Sequence, residues 1–100
     1  MLSDQLSILA EANRRRLLIA LADRNPRSID SDGYVGGPDM SDPNVATAMY
    51  HVHLPKLEAA GFIDWDREEN VVTRGPKFEE IRPLVDLLDS HREELPGGAV

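Results

Sequence analysis

Asp42-Pro43 and Gly61 bracket the middle of the chain more firmly than any other pair of signals in it. An aspartate accepts hydrogen bonds from the open amides of a first helical turn, and proline is harmless at the first helical position, where its missing N–H has no partner to lose. Glycine ends helices readily because it enters the left-handed conformation without a Cβ clash. A helix is therefore expected from Pro43 to about Ala60, kinked where Pro55 removes the hydrogen bond to the carbonyl of His51. Directly behind it, Phe62-Ile63-Asp64-Trp65-Asp66 and Val71-Val72-Thr73 are short β-prone runs around the polar turn Arg67-Glu68-Glu69-Asn70, the pattern of a hairpin.

Helical periodicity also marks both ends of the chain. Leu2, Leu6, Leu9 and Ala12, then Leu17, Leu18, Leu21 and Ala22, predict a helix or a closely coupled pair of helices up to Arg24, with Asn13 as the cap of the second part. After Gly75-Pro76, an amphipathic segment runs to about Leu95 with Pro83 inside it, and Pro96 to Val100 is expected to fray. Between Asn25 and Pro43, glycine and proline punctuate a long loop with room for a short strand near Ser28-Ile29. The expected architecture is one domain over residues 1–95, mainly α with a small β-hairpin, followed by a flexible tail over 96–100.

Composition narrows the chemistry. No cysteine is present, which removes disulfides, thiolate metal sites and thiol nucleophiles. Acidic residues outnumber basic ones 18 to 11, for a net charge of −7, and Lys56 and Lys77 are the only lysines. Such a surface repels itself at low ionic strength and is relieved at molar salt, where the screening length falls to about 3 Å, so it suits a salt-rich cytoplasm. The N-terminus has no basic leader pattern and no apolar run is long enough for a membrane span, which sets the expectation of a cytoplasmic protein with no membrane partner.

The run Tyr50-His51-Val52-His53-Leu54-Pro55-Lys56-Leu57-Glu58-Ala59-Ala60-Gly61-Phe62-Ile63 resembles the recognition helix and the start of the wing in ArsR-like winged helix-turn-helix regulators. His53, Leu54, Leu57, Ala60, Gly61, Phe62 and Ile63 match that pattern. The run is also similar to a haloarchaeal family of winged-helix domains of unassigned function, in which His-x-His-Leu-Pro-x-Leu recurs. The similarity extends over about residues 2 to 75 and implies a winged-helix transcriptional regulator that pairs through its terminal helices. The first helix of the helix-turn-helix would fall on Asp30 to Ser41, where Gly33, Gly36, Gly37 and Pro38 make a poor helix former.

Candidate DNA contacts are Arg14, Arg15, Arg16, Thr47, His51, Lys56 and Arg67. If Leu54 and Leu57 face inward, as the resemblance implies, Tyr50 lies on their side and Ala48, Val52, Pro55 and Lys56 face out. A second wheel turns Val45, Met49 and Val52 inward at the cost of exposing Leu54; the first is preferred. The arginine triplet reads either as a phosphate contact or as ion pairs with Glu11, Asp4 or the acidic C-terminal helix. Asp64, Asp66, Glu68 and Glu69 outnumber Arg67 and Arg74 on the wing. His51 and His53 point roughly 200° apart on a helix and so do not chelate one ion; no metal or other cofactor is expected, and His53 is expected to be packed. The stretch from Asp32 to Gly37 lacks the lysine a phosphate loop needs and reads as a turn.

Phe78, Ile81, Leu84, Val85 and Leu88 form a candidate dimer stripe, unless they pack on Leu6, Leu9 and the hairpin of their own chain. No catalytic constellation stands out. The leading expectation is a winged-helix transcriptional regulator binding DNA as a homodimer. The other is a protein-interaction module on the same scaffold.

Overall fold

A computed structural model describes residues 2–29 and 38–90, with side chains from Gln5 onward. Its elements are helices α1 (Leu2–Ala10) and α2 (Ala12–Asp23), strand β1 (Arg27–Ser28), helix α3 (Pro43–Ala48), a π-helical turn (Met49–His53), helix α4 (Leu54–Ala59), strands β2 (Ile63–Asp66) and β3 (Val71–Arg74), and helix α5 (Phe78–Ser90). The three strands form one antiparallel sheet in the order β1-β3-β2. This mainly helical chain with a small sheet is compatible with a winged-helix-like fold. Residues 30–37, which hold the middle of the expected loop and the whole of the Asp32–Gly37 turn, lie outside the described residues, as do His91, the rest of the segment expected to run to Leu95, and the tail.

Helix α2 is the spine of the core. Leu17 through Leu21 are all buried, which means that this helix is covered on every side. It packs on α1, on α5, on the π turn and on β3. Leu54, Leu57, Met49, Ile63, Val72, Phe78, Ile81 and Val85 complete a single cluster with exposures of 0 to 1%. Each such side chain contributes about 1.5–3 kcal/mol relative to leaving it in water.

Helix α2 begins two residues earlier than its sequence suggests. Its cap is Glu11, whose carboxylate accepts from the amides of Asn13 at 2.9 Å and Arg14 at 3.2 Å. Asn13, the expected cap, lies inside the helix, where its Oδ1 accepts from Arg16 Nη1 at 3.2 Å. Glutamate reaches open amides as asparagine does, and the break between α1 and α2 falls at residue 11, so the residue at the break becomes the cap.

Asp42 caps α3 as expected, accepting from the Asn44 amide at 2.9 Å. At the far end, Gly61 adopts φ +86°, its amide donates to Glu58 O at 3.0 Å, and the Phe62 amide donates to Leu57 O at 3.1 Å. This is a Schellman closure, sealed by the buried pair Leu57 and Phe62. The expected kink takes the form of the π turn just before Pro55, where the Leu54 amide reaches back five residues to Met49 O. Pro55 cannot donate to the helix, and the widened turn accommodates that loss.

The π turn resolves the choice between the two helical wheels. One residue added to a helical turn rotates everything after it by about 100°. Met49, which faces inward on one wheel, and Leu54 and Leu57, which face inward on the other, are therefore all at 0% exposure, with Val45 packed against the same core. Val52 is the exception to the second wheel, at 51% exposed.

The last helix stays in one piece through Pro83. Of its candidate dimer stripe, Phe78, Ile81 and Val85 are buried inside their own chain at 1, 0 and 0%. Their cover is mainly α2 and not Leu6, which is 53% exposed. Any contact of this helix with a second copy falls to Leu84 and Leu88, which are partly buried on the core, and to Leu87, which is 54% exposed. No described helix is long and apolar enough to cross a membrane.

Candidate interaction face of the long helix and wing

Two arginines of the triplet, Arg14 and Arg15, serve the end of α1. Arg14 donates through Nε to Ile8 O at 3.0 Å and through Nη2 to Ser7 O at 3.3 Å, and Arg15 Nη1 donates to Leu9 O at 2.7 Å. The last carbonyls of a helix lack internal partners and carry the negative end of its dipole, so a guanidinium is well matched to them. Arg14 and Arg15 are thus placed on backbone carbonyls, while Arg16 Nη1 donates to Asn13 Oδ1 at 3.2 Å; the side chain of Asp4 is not described.

The end of α2 is treated the same way by residues far apart in sequence. Arg27 Nε donates to Ala20 O at 3.0 Å, Arg74 Nε to Leu21 O at 3.1 Å and Arg74 Nη2 to Ala22 O at 2.9 Å, with Arg82 Nη2 reaching Ala22 O at 3.4 Å. Arg74 and Arg82 also approach the Phe78 ring, at 5.4 and 5.8 Å from its centroid. Sequence reasoning missed this function. The only local hint was Arg27 four residues after Asp23, a spacing that also gives their 3.4 Å ion pair.

The wing is clamped to the long helix by contacts that sequence reasoning did not anticipate, although it named Tyr50 and Arg67 in other roles. Tyr50 stacks on Trp65 with ring centroids 6.0 Å apart. Asn70, at φ 56°, accepts from Trp65 Nε1 at 3.1 Å and donates to Tyr50 Oη at 2.7 Å. Glu58 accepts from the Trp65 amide at 3.3 Å and from Arg67 Nη2 at 3.2 Å, while the Arg67 guanidinium lies 4.2 Å from the Trp65 ring centroid. The turn is held by Asp66, whose Oδ1 accepts from the amides of Glu68 and Glu69 at 3.0 and 3.2 Å. Asp64, Asp66, Glu68 and Glu69 are all exposed.

Of the candidate DNA contacts, Thr47, His51 and Lys56 lie exposed on the long helix. Arg14, Arg15 and Arg16 are half-buried at the α1–α2 junction, and Arg67 is exposed but paired with Glu58. Among the described residues, no group of three or more His, Asp or Glu is placed to hold a metal ion.

His53 joins the helices at the base of this face. It is 8% exposed, with Nε2 3.3 Å from Glu11 Oε2 and Nδ1 3.4 Å from Arg14 Nη1. A guanidinium only donates, so Nδ1 accepts and the proton sits on Nε2, pointing at Glu11. A second proton would have to face Arg14. Burial is the main cause that pushes the His53 pKa below its ordinary 6.5; Glu11 opposes the shift and Arg14 adds to it. The unfolded chain therefore takes up this proton more readily than the folded one. Stability should be full above about pH 7.5 and fall as the pH drops through 6.5 and below. Thermal melts between pH 7.5 and 5.5 should show the wild type losing more than His53→Gln over that interval; parallel losses would exclude His53 as the cause.

A family model described as a domain of unknown function (DUF7344) matches residues 35–73, which include the long helix and nearly all of the hairpin. That description names neither a winged-helix nor an ArsR-like family. No curated protein and no solved structure matches the chain.

Proposed function

We propose that this chain is a winged-helix-like protein-interaction module that docks through the exposed side of its long helix and the adjoining wing. The observation that carries this reading is where the positive charge goes. Arg14, Arg15, Arg27, Arg74 and Arg82 bind backbone carbonyls at the ends of α1 and α2. Arg67 is held by Glu58 and Trp65, while the wing turns four carboxylates outward. DNA affinity is dominated by cations placed against phosphates, and this wing would repel them. The half-exposed Val52 on the outward side of the helix fits a protein contact. A basic, partly apolar segment of a partner protein is complementary to both features.

The second reading is a transcriptional regulator that binds DNA as a homodimer. Its support is the exposure of Thr47, His51 and Lys56 along one helix, the position from which helix-turn-helix proteins reach base edges. Fluorescence anisotropy at about 0.15 M KCl, where screening acts beyond roughly 8 Å, separates the two. A lysine-rich amphipathic peptide should bind saturably and should weaken at least several-fold when Asp64, Asp66, Glu68 and Glu69 become amides, while mixed-sequence duplex DNA should not bind. Duplex binding that falls steeply with salt and weakens on Lys56→Gln would replace this reading with the second.

A further inference from the structure

Both lysines of the chain line the same cleft. Lys56 comes from α4 and Lys77 from the turn before α5, and the cleft that they border against α1 measures about 380 Å³, within the range of small-molecule sites. Its apolar wall includes Ile8 and Phe62, which are 4% and 6% exposed. Its polar wall includes Gln5 and Glu80, and Gln5 Nε2 donates to Glu80 O at 3.3 Å, tying α1 to α5 at this edge.

The backbone of Lys77 is held in position. Its amide donates to Gly61 O at 2.8 Å, and its Cδ lies 3.0 Å from the point where a Cβ on residue 61 would stand, so glycine there makes room for the lysine stem. Neither lysine forms an ion pair with a described carboxylate, in contrast to Arg27, Arg67 and Arg82. In a chain of net charge −7, two unpaired cations beside one carboxylate, Glu80, make a local positive site with an apolar wall.

We propose that this cleft binds a small organic monoanion, with Lys56 and Lys77 holding the charged head and Ile8 and Phe62 covering the apolar body. The inference is independent of what docks on the wing. A cation is disfavoured by the two ammonium groups, and a multiply charged anion by Glu80.

Benzoate, with benzyl alcohol as its uncharged counterpart, tests the proposal by two-dimensional amide NMR at the lowest KCl at which the chain stays folded. Benzoate should shift the amides of Gln5, Ala59 and Lys77 saturably, and benzyl alcohol should bind far more weakly. Lys56→Gln and Lys77→Gln should each weaken benzoate roughly fivefold, the weight of one charge pair about 4 Å apart in water. Lys77→Arg, which keeps the charge, should retain most of the binding. Equal affinity for benzyl alcohol, benzoate shifts unchanged in the Lys56→Gln/Lys77→Gln double variant, or no saturable benzoate shift in the wild type would each overturn it.

Discussion

Arg74→Ala is expected to cost about 3 kcal/mol of folding stability, because hydrogen bonds from a charged donor contribute about 1.5–3 kcal/mol and one side chain here makes two of them. The carbonyl of Leu21 has Arg74 Nε at 3.1 Å, and that of Ala22 has Arg74 Nη2 at 2.9 Å, with only the 3.4 Å approach of Arg82 in reserve. The variant also loses the guanidinium over Phe78. In a domain of about 100 residues, 1 kcal/mol moves the melting temperature by about 4–8 °C, so a drop of roughly 15 °C should appear in a thermal melt. Arg74→Lys should recover only part of it, since an ammonium lacks the planar fork that meets two carbonyls at once. Arg24→Ala is the control: Arg24 is exposed, its backbone amide and not its side chain closes α2, and its loss should stay within about 0.5 kcal/mol. If Arg74→Ala matched that control, the arginines would not be structural, and the argument that they are withheld from phosphates would lose its basis.

The elements that were legible in the sequence are those whose signals are local. Asp42 caps α3 and Gly61 closes α4 because capping and left-handed backbone depend on a few neighbouring atoms. The hairpin, the strand beside Ser28 and the burial of His53 followed from short patterns in the same way. Phase along the long helix was not legible, because a wheel assumes one constant angle per residue and the π turn breaks that assumption at Met49–His53. Both wheels were right on one side of the turn.

The carbonyl contacts of the arginines were not legible for a related reason. Arg14, Arg15 and Arg16 read either as a phosphate contact or as ion-pair partners when the second helix is taken to start at Asn13. With the break at Glu11, the carbonyls of Ser7, Ile8 and Leu9 are open just where two of these side chains reach. Arg74 and Arg82 meet α2 across separations of 52 and 60 residues, which no local pattern encodes. The same holds for the wing clamp: Tyr50, Glu58, Trp65 and Asn70 come together only once the hairpin folds back on the helix.

Gly75→Ala should be the more damaging of two glycine substitutions and should cost about 4 kcal/mol or more. A Cβ at residue 75 would stand 2.5 Å from Gly61 O, 2.7 Å from Ile63 N and 2.9 Å from Ile63 C, and all three atoms are backbone. Overpacking typically costs about 1–3 kcal/mol when side chains can change rotamer, and here there is no side chain to move. Relief requires β3 to draw away from the start of β2, yet the Gly75 amide donates to Phe62 O at 3.0 Å and Ile63 is fully buried. Opening that seam would also disturb Arg74, the adjacent residue, in its hold on α2. Gly61→Ala meets a different obstacle: φ is +86°, a strain of about 1–2 kcal/mol for an L-residue, and the nearest atom is Lys77 Cδ at 3.0 Å, the flexible stem of an exposed lysine. Denaturant titrations of the two variants should therefore separate by at least about 2 kcal/mol, with Gly75→Ala close to unfolded if the domain lies near the lower end, about 5 kcal/mol, of ordinary stability and Gly61→Ala still cooperative. Equal losses would mean that the seam between the strands yields as easily as a lysine side chain, and the close backbone approach at residue 75 would not be what requires glycine there.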